Sequence, residues 1–389
     1  MSKRFTQYLK EILPQLNQTT KSAPEAKKTT DAILHVLRSF GLAGRRIKKS
    51  GVIAQLQGSP PLPTSVLLLN LYPLSTNEIQ NISFNSYEAG VKHIGECEVF
   101  SVIGLGVIWV LNQLIKELSG CVQVVFQTVP EMTPSVFTDL INKEVVDNVK
   151  AMYELRLDSS MPVERVGVNF GAILASTDSF SLMIHGKGSQ THHSQLIVDY
   201  IQIAAQVVTA LKQLTSRKVD PVRCGFIGIQ SIHGGDNDSA VPAAVKLTGT
   251  IHAVDEDVRK QLPSLIETTI QGITDAYGCD YHLKIVSGSP IVASDKNVTT
   301  NLKKSAEEIL GKDKVTIINY PKMVTENHAQ FLRYLPGSFV HLGTGSVENT
   351  HQNLRTSNFD LCERCIEVGV KTLSWALLNF PKENSTEVQ

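Results

Sequence analysis

The order of predicted strands and helices in the middle of the chain restricts the fold more than any other feature. The predicted segments are strand Phe180–His185, helix Gln195–Leu214, strands Arg223–His233 and Val245–Val254, helix Asp257–Tyr277 and strand Tyr281–Val286. This order, β-α-β-β-α-β, is that of a ferredoxin-like unit, which folds independently at roughly one hundred residues. We therefore expect a small domain at residues 179–294, inserted into a larger domain of residues 1–178 and 295–389.

The regions on either side of this insert alternate apolar strands with helices. Ser65–Leu71 and Val122–Gln127 are short continuous apolar runs, which are typical of strands buried on both faces of a parallel sheet. Ile47–Leu56 is predicted to be a further strand, and the GSPPLP segment at 58–63 is predicted to turn the chain. Val99–Ile115 is predicted to be a buried helix. Strands that alternate with helices favour an α/β core under a mostly parallel sheet.

Charge and cysteine content exclude some classes of function. Lys plus Arg and Asp plus Glu number 37 each, so the net charge of zero does not favour a nucleic-acid or membrane surface. The most apolar segment, Val99–Leu111, is shorter than the about 20 residues that a membrane-spanning helix needs. Six scattered cysteines in a chain of 389 residues fit a reducing compartment better than a disulfide scaffold. We expect a cytoplasmic protein that binds neither nucleic acid nor membrane.

Five sequence motifs occur along the second half of the chain in a recognisable order. They are GKGSQTHH at Gly186–His193, SRKVDP at Ser216–Pro221, AVPAAVKLTGTIHAVDEDVR at Ala240–Arg259, YLPGSFVHLGTG at Tyr334–Gly345 and NLRTSNFD at Asn353–Asp360. In this order and spacing the chain resembles the aminoacylase and hippurate hydrolase family of zinc-dependent amidohydrolases, which includes carboxypeptidase-G-type peptidases. The resemblance implies a zinc-peptidase-like three-layer α/β/α domain with an inserted ferredoxin-like (βαββαβ) lid, and a homodimer formed through that lid.

The resemblance also implies a set of metal ligands, and this chain departs from it at most positions. Glu96 and Arg156 stand where the family has metal-binding histidines, and so does Arg355. Glu131 keeps a ligand glutamate, but Pro130 replaces the glutamate that serves as general base. Ile94 stands where the family has a metal-binding cysteine, so that by this alignment one of the five family ligands remains.

Three departures fall in the predicted lid, and one of them is Ser239, which stands where the family has an asparagine. Gln190 stands where the family has a histidine that reaches the partner's substrate, and His252 stands where the family has an arginine.

These replacements are chemically unsuited to a two-metal hydrolase. Proline cannot transfer a proton, and arginine keeps its proton in proteins, so that it cannot coordinate a metal ion. Its positive charge also repels a cation at the same place. We therefore expect a degenerate metal centre, no cofactor and a catalytically inactive homologue that acts by binding a ligand or a partner.

The replaced residues suggest what such a cleft contains. Its expected members are Glu96, Glu131, Arg156, Gln190, His252 and Arg355. Arg156 and Arg355 would pair with the two glutamates, because guanidinium and carboxylate groups form strong charge-assisted hydrogen bonds. A cleft of this composition could hold a small ligand that bears a carboxylate.

An alternative stays open at this point. The chain could be an active, metal-dependent hydrolase of N-acyl amino acids or peptides with an unorthodox set of ligands. His93, Glu96, Cys97 and Glu131 would be its candidate ligands for zinc or manganese, because imidazole, thiolate and carboxylate suit zinc. A metal-independent activity is a third hypothesis, for which the sequence nominates no residue.

Overall fold

A computed structural model describes most of the chain in two units. The described ranges are 26–47, 51–71, 96–127, 148–186, 198–235, 242–321, 331–332, 334–345 and 364–384. The contacts between residues divide the chain into two compact units. The large unit comprises residues 1–171, 294–319 and 331–389. A small unit comprises 172–293 and 320–330.

The described helices and strands follow the α/β pattern. The helices are α1 (Ala26–Ser39), α2 (Glu96–Gln113), α3 (Tyr200–Lys218), α4 (Glu256–Tyr277), α5 (Lys296–Leu310) and α6 (Arg364–Asn384). The strands are β1 (Gly44–Ile47), β2 (Gly51–Gln57), β3 (Ser59–Asn70), β4 (Ser119–Gln127), β5 (Val149–Pro162), β6 (Val166–Val168), β7 (Gly171–Leu174), β8 (Ser176–His185), β9 (Gly225–Gly234), β10 (Ala244–Ala253), β11 (Asp280–Ser289), β12 (Val292–Ser294), β13 (Val315–Ile317) and β14 (Gly337–Gly345).

The large unit is built on an eight-stranded mixed sheet with the order β1-β2-β4-β3-β5-β14-β6-β13. Its four neighbouring strands β4, β3, β5 and β14 are mutually parallel. β2 and β6 run antiparallel to β4 and β14, respectively. The predicted buried parallel strands are therefore confirmed, and the carboxyl ends of four strands meet at one edge of the sheet.

Alternation of side chains divides the core of the large unit between the two faces of this sheet. In β3, Leu67 and Leu69 pack in a core that includes α1, α2, α5 and α6. Val66 and Leu68 point to the other face, where they pack in a separate cluster. Gly104 lets α2 approach the sheet closely, since a Cβ there would lie 2.3 Å from Leu69 Cδ1. None of the helices in the described ranges is long and apolar enough to cross a membrane.

The small unit has the predicted β-α-β-β-α-β order. Its antiparallel sheet has the strand order β11-β8-β10-β9, and its core includes residues of α3 and α4. Both helices begin at an aspartate whose side chain accepts backbone N–H bonds, Asp199 for α3 and Asp255 for α4. α4 ends at Gly278, which adopts the left-handed conformation common at helix ends. The predicted homodimer through this unit stays a prediction.

The structure differs from the sequence prediction in several segments of the large unit. The predicted turn at 58–63 is wrong after Gly58, because β3 begins at Ser59, whose N–H donates to the carbonyl of Leu118. Prolines are tolerated there because they stand at the start of the strand, where the pairing with β4 shifts register. The predicted single strand Ile47–Leu56 is two strands, β1 and β2, paired antiparallel. β5 was not predicted, and it carries the site described next.

Candidate functional site

Polar side chains collect at the carboxyl ends of the parallel strands. We call Asn70 of β3, Glu154, Arg156 and Asp158 of β5, and His341 of β14 the carboxyl-edge cluster. Asn70, Glu154 and His341 are buried. Because ligands bind to open α/β sheets outside the carboxyl ends of the strands, this cluster is the candidate functional site.

The period of the strands explains why these groups share one face. In β5, Tyr153 and Leu155 point into the core that packs against the helices. Glu154 and Arg156 therefore point to the opposite face, because successive side chains alternate across a strand. β14 pairs with β5 in register, and His341 lies opposite Arg156.

An ion pair occupies the centre of the cluster. Arg156 Nη2 donates to Glu154 Oε1 at 2.7 Å, and Asn70 Nδ2 donates to the same oxygen at 3.1 Å. The Glu154 side chain is 0% exposed, whereas 17% of the Arg156 side chain is exposed. The guanidinium carbon also lies 4.8 Å from the centroid of the Phe339 ring. A charge-assisted hydrogen bond and a cation–π contact thus fix the position of this guanidinium.

A histidine and a second carboxylate lie next along the same two strands. His341 Nδ1 is 3.9 Å from Asp158 Oδ2, and its ring meets the Phe339 ring edge-on at a centroid distance of 6.3 Å. A separation of 3.9 Å is longer than a direct hydrogen bond. An imidazole beside a carboxylate can hold or move a proton near neutral pH.

Two of the six predicted cleft residues have described side chains. They are Arg156 and His252, which belong to different units. Glu96 is the first residue of α2, but its side chain lies outside the described part of the structure. The remaining predicted positions also lie outside the described ranges, and they are His93, Pro130, Glu131, Gln190 and Arg355.

Cys97, a fallback metal ligand in the prediction, is buried within the apolar core of the large unit. Glu96 and Glu131 were the expected partners of Arg156, and this pairing stays a prediction. The described partner is Glu154, which the sequence analysis missed. The signal that could have found it is the alternation Glu154-x-Arg156-x-Asp158 between apolar residues.

His252 lies in β10 of the small unit, between two threonines. Its Nδ1 is 2.8 Å from Thr177 Oγ1, and its Nε2 is 3.1 Å from Thr250 Oγ1. Its ring centroid lies 6.1 Å from that of Phe226. Burial lowers the pKa of His252, and the weaker opposing influences are the backbone of Ser176 and the charge of Asp178.

This pKa shift predicts a pH dependence of stability. The ordinary pKa of histidine is about 6.5. Because the unfolded chain binds the proton of His252 more readily than the folded chain, the free energy of unfolding is expected to decrease as the pH falls below that value. Urea unfolding of the wild type and a His252→Gln variant between about pH 5 and 7.5 measures this effect. The variant should lose less stability on acidification, and equal losses would contradict the prediction.

The residue at one predicted ligand position does not fit a metal ion. Arg156 keeps its proton and donates to Glu154, so that it offers no lone pair for coordination. Within the described ranges, no group of three or more His, Cys, Asp or Glu residues is placed to hold a metal. The side chains at the other predicted ligand positions lie outside those ranges.

The large mixed sheet and the separate βαββαβ unit give the chain a two-unit α/β architecture. The chain belongs to peptidase family M20/M25/M40, whose family model matches residues 101–379. The predicted fold class and family resemblance are thereby confirmed. Membership in this family gives no support to the expected inactivity.

Several relatives cover much of the chain. A Synechocystis sp. protein named as a probable hydrolase, sll0100, is 29% identical over 96% of this chain and 95% of its own. The N-acyl-L-amino acid amidohydrolase of Geobacillus stearothermophilus is 28% identical over 70% of this chain and 74% of its own. The crystal structure of Bacillus subtilis YXEP, described as a dinuclear metal binding peptidase, has a TM-score of 0.83 at 22% identity. It covers 98% of this chain and 99% of its own. This last similarity concerns the fold.

Proposed function

We propose that the chain hydrolyses the amide bond of N-acyl amino acids or short peptides, with zinc or manganese held by a ligand set that excludes Arg156. The observation that carries this proposal is a buried, charged cluster at the carboxyl edge of a peptidase-family sheet. The names of the relatives, a hydrolase and an N-acyl-L-amino acid amidohydrolase, support the substrate class.

The described residues suggest a division of tasks within the cluster. Arg156, fixed by Glu154, offers a positive charge to an oxygen of the substrate. His341, beside Asp158, is the group that can hold or transfer a proton at neutral pH. A bound metal ion would polarise the scissile carbonyl and lower the pKa of an attacking water.

Hydrolysis is tested on the full chain with a panel of N-acyl amino acids and dipeptides. The release of free amine is measured after equilibration with zinc, with manganese or with a chelator. We expect turnover that the chelator abolishes. A His341→Asn variant is expected to lower kcat/KM by about 10²- to 10⁴-fold, because it removes a group that transfers protons.

The matched control for this variant is His35→Asn in α1, which should leave kcat/KM unchanged. Folding of both variants is checked by circular dichroism. A correctly folded wild type that releases no amine with either metal would contradict the proposal.

A second function is favoured by one specific observation. Arg156 stands at a predicted metal-ligand position and donates instead to the buried Glu154. This arrangement favours a homologue that binds a ligand with a carboxylate but does not hydrolyse it. In that case N-acyl amino acids would raise the melting temperature of the protein without releasing amine. Product formation separates the two candidate functions in a single experiment.

A further inference from the structure

We infer that the guanidinium of Arg156 takes the place of one metal ion at the carboxyl edge, so that each chain holds at most one metal ion there. This inference deepens the proposed function and concerns the same site. Its measurement is the metal content of the protein, which does not depend on whether any substrate is hydrolysed.

The position of the positive charge at the carboxyl edge is fixed. Glu154 Oε1 accepts from Arg156 Nη2 at 2.7 Å and from Asn70 Nδ2 at 3.1 Å, so that the carboxylate has a partner on each of two strands. The ring of Phe339, on β14, lies against the guanidinium at 4.8 Å. Three neighbouring strands of the sheet therefore hold Arg156 and its partner in place.

The charges of Glu154 and Arg156 disfavour a second metal ion at this site. The Glu154 carboxylate is 0% exposed, so it needs a positive charge close by. Arg156 provides one, because a guanidinium keeps its proton in proteins. In a dinuclear site the two ions lie about 3.5–4 Å apart and share one set of ligands. A permanent cation within such a set repels a second ion.

Asp158 and His341 are the other ionisable side chains of the carboxyl-edge cluster. Asp158 lies beyond Arg156 along β5, and His341 lies opposite Arg156 on β14, with 3.9 Å between Asp158 Oδ2 and His341 Nδ1. Within the described ranges no group of three or more His, Cys, Asp or Glu residues is placed to hold a metal, so these two side chains do not by themselves form a site for a second ion. A site with one metal ion and one guanidinium carries two positive centres, as a site with two metal ions does.

The test begins with the wild-type protein. It is equilibrated with zinc or with manganese and desalted, and its metal content is measured by elemental analysis. We expect at most one tightly bound equivalent per chain. Two tightly bound equivalents would overturn the inference.

Variants then assign the effect to Arg156. A Glu154→Gln/Arg156→His double variant removes both buried charges, and the amide oxygen of the introduced glutamine can still accept from Asn70. We expect this variant to bind about one equivalent more metal than the wild type, because the repelling charge is gone and an imidazole is added. An Arg156→Lys variant keeps the charge and should bind as much metal as the wild type. A folded double variant with unchanged metal content would overturn the inference.

A control variant tests the effect of adding a histidine. Arg165→His changes another arginine of the large unit, whose Nη1 donates to the carbonyl of Asp313. It should leave the metal content unchanged. The inference stands if the wild type binds at most one equivalent and the double variant gains metal. If no substrate is hydrolysed in that case, only the proposed function fails.

Discussion

Replacement of Arg156 by methionine is expected to lower the free energy of unfolding by about 3–5 kcal/mol. The substitution removes the guanidinium that donates to Glu154, whose side chain is fully buried. Breaking a buried ion pair by removing one partner costs more than the pair contributes, since the other charge stays in a low-dielectric environment. Urea unfolding of both proteins at pH 7 measures the difference.

A double variant shows whether the buried charge is the cause. Glu154→Gln/Arg156→Met has no charge at either position, and the amide oxygen of its new glutamine can still accept from Asn70 Nδ2, as the carboxylate does. It should therefore recover much of the lost stability, and a double-mutant cycle gives the coupling between the two residues. If the single Arg156 variant is as stable as the wild type, the pair does not stabilise the large unit.

Replacement of Asp178 by alanine is expected to cost about 3–5 kcal/mol in the small unit. Its carboxylate accepts from Arg259 Nε at 3.0 Å and Nη2 at 2.7 Å, and from the backbone N–H of Gly288 at 2.8 Å. The side chains of Asp178 and Arg259 are only 5% and 13% exposed. The variant leaves a nearly buried guanidinium and a backbone donor without this acceptor, and it loosens the attachment of α4 to the sheet. Hydrogen exchange of the α4 amides reports this loss locally.

An exposed ion pair between α4 and the segment before β9 is the matched control. Asp257 accepts from Arg223 at 2.7 Å, but its side chain is 76% exposed. Replacing Asp257 by alanine should change stability much less than replacing Asp178, because exposed pairs are weakened by solvent and by side-chain entropy. Equal effects at Asp178 and Asp257 would show that burial does not decide the contribution of these pairs.

The sequence was sufficient to predict strands and helices wherever a local pattern of apolar residues indicates burial. The continuous apolar runs at 65–71 and 122–127 became the parallel strands β3 and β4, and the apolar segment after residue 96 became α2. The β-α-β-β-α-β order also followed from the sequence. In each case neighbouring residues carry the information, since a strand or helix buried on several sides must be apolar along its length.

The sequence was misleading at β5, where charged and apolar side chains alternate. Charged residues such as Glu154, Arg156 and Asp158 are usually exposed to solvent, yet Glu154 is completely buried. The carboxylate is accommodated because Asn70, 84 residues earlier, donates to it, and because Arg156 neutralises it from the same strand. Such a contact depends on which strands are neighbours in the sheet, and no local pattern determines that order.

The sequence by itself determined the family, the two-part architecture and the identity of the residues at the predicted ligand positions. Only the tertiary structure decided that Arg156 is held by Glu154, and that His341 lies beside Asp158. The physical reason is that secondary structure follows from patterns within a segment. The properties of a charged group follow from its partners, which β3, β5 and β14 bring together from distant parts of the chain.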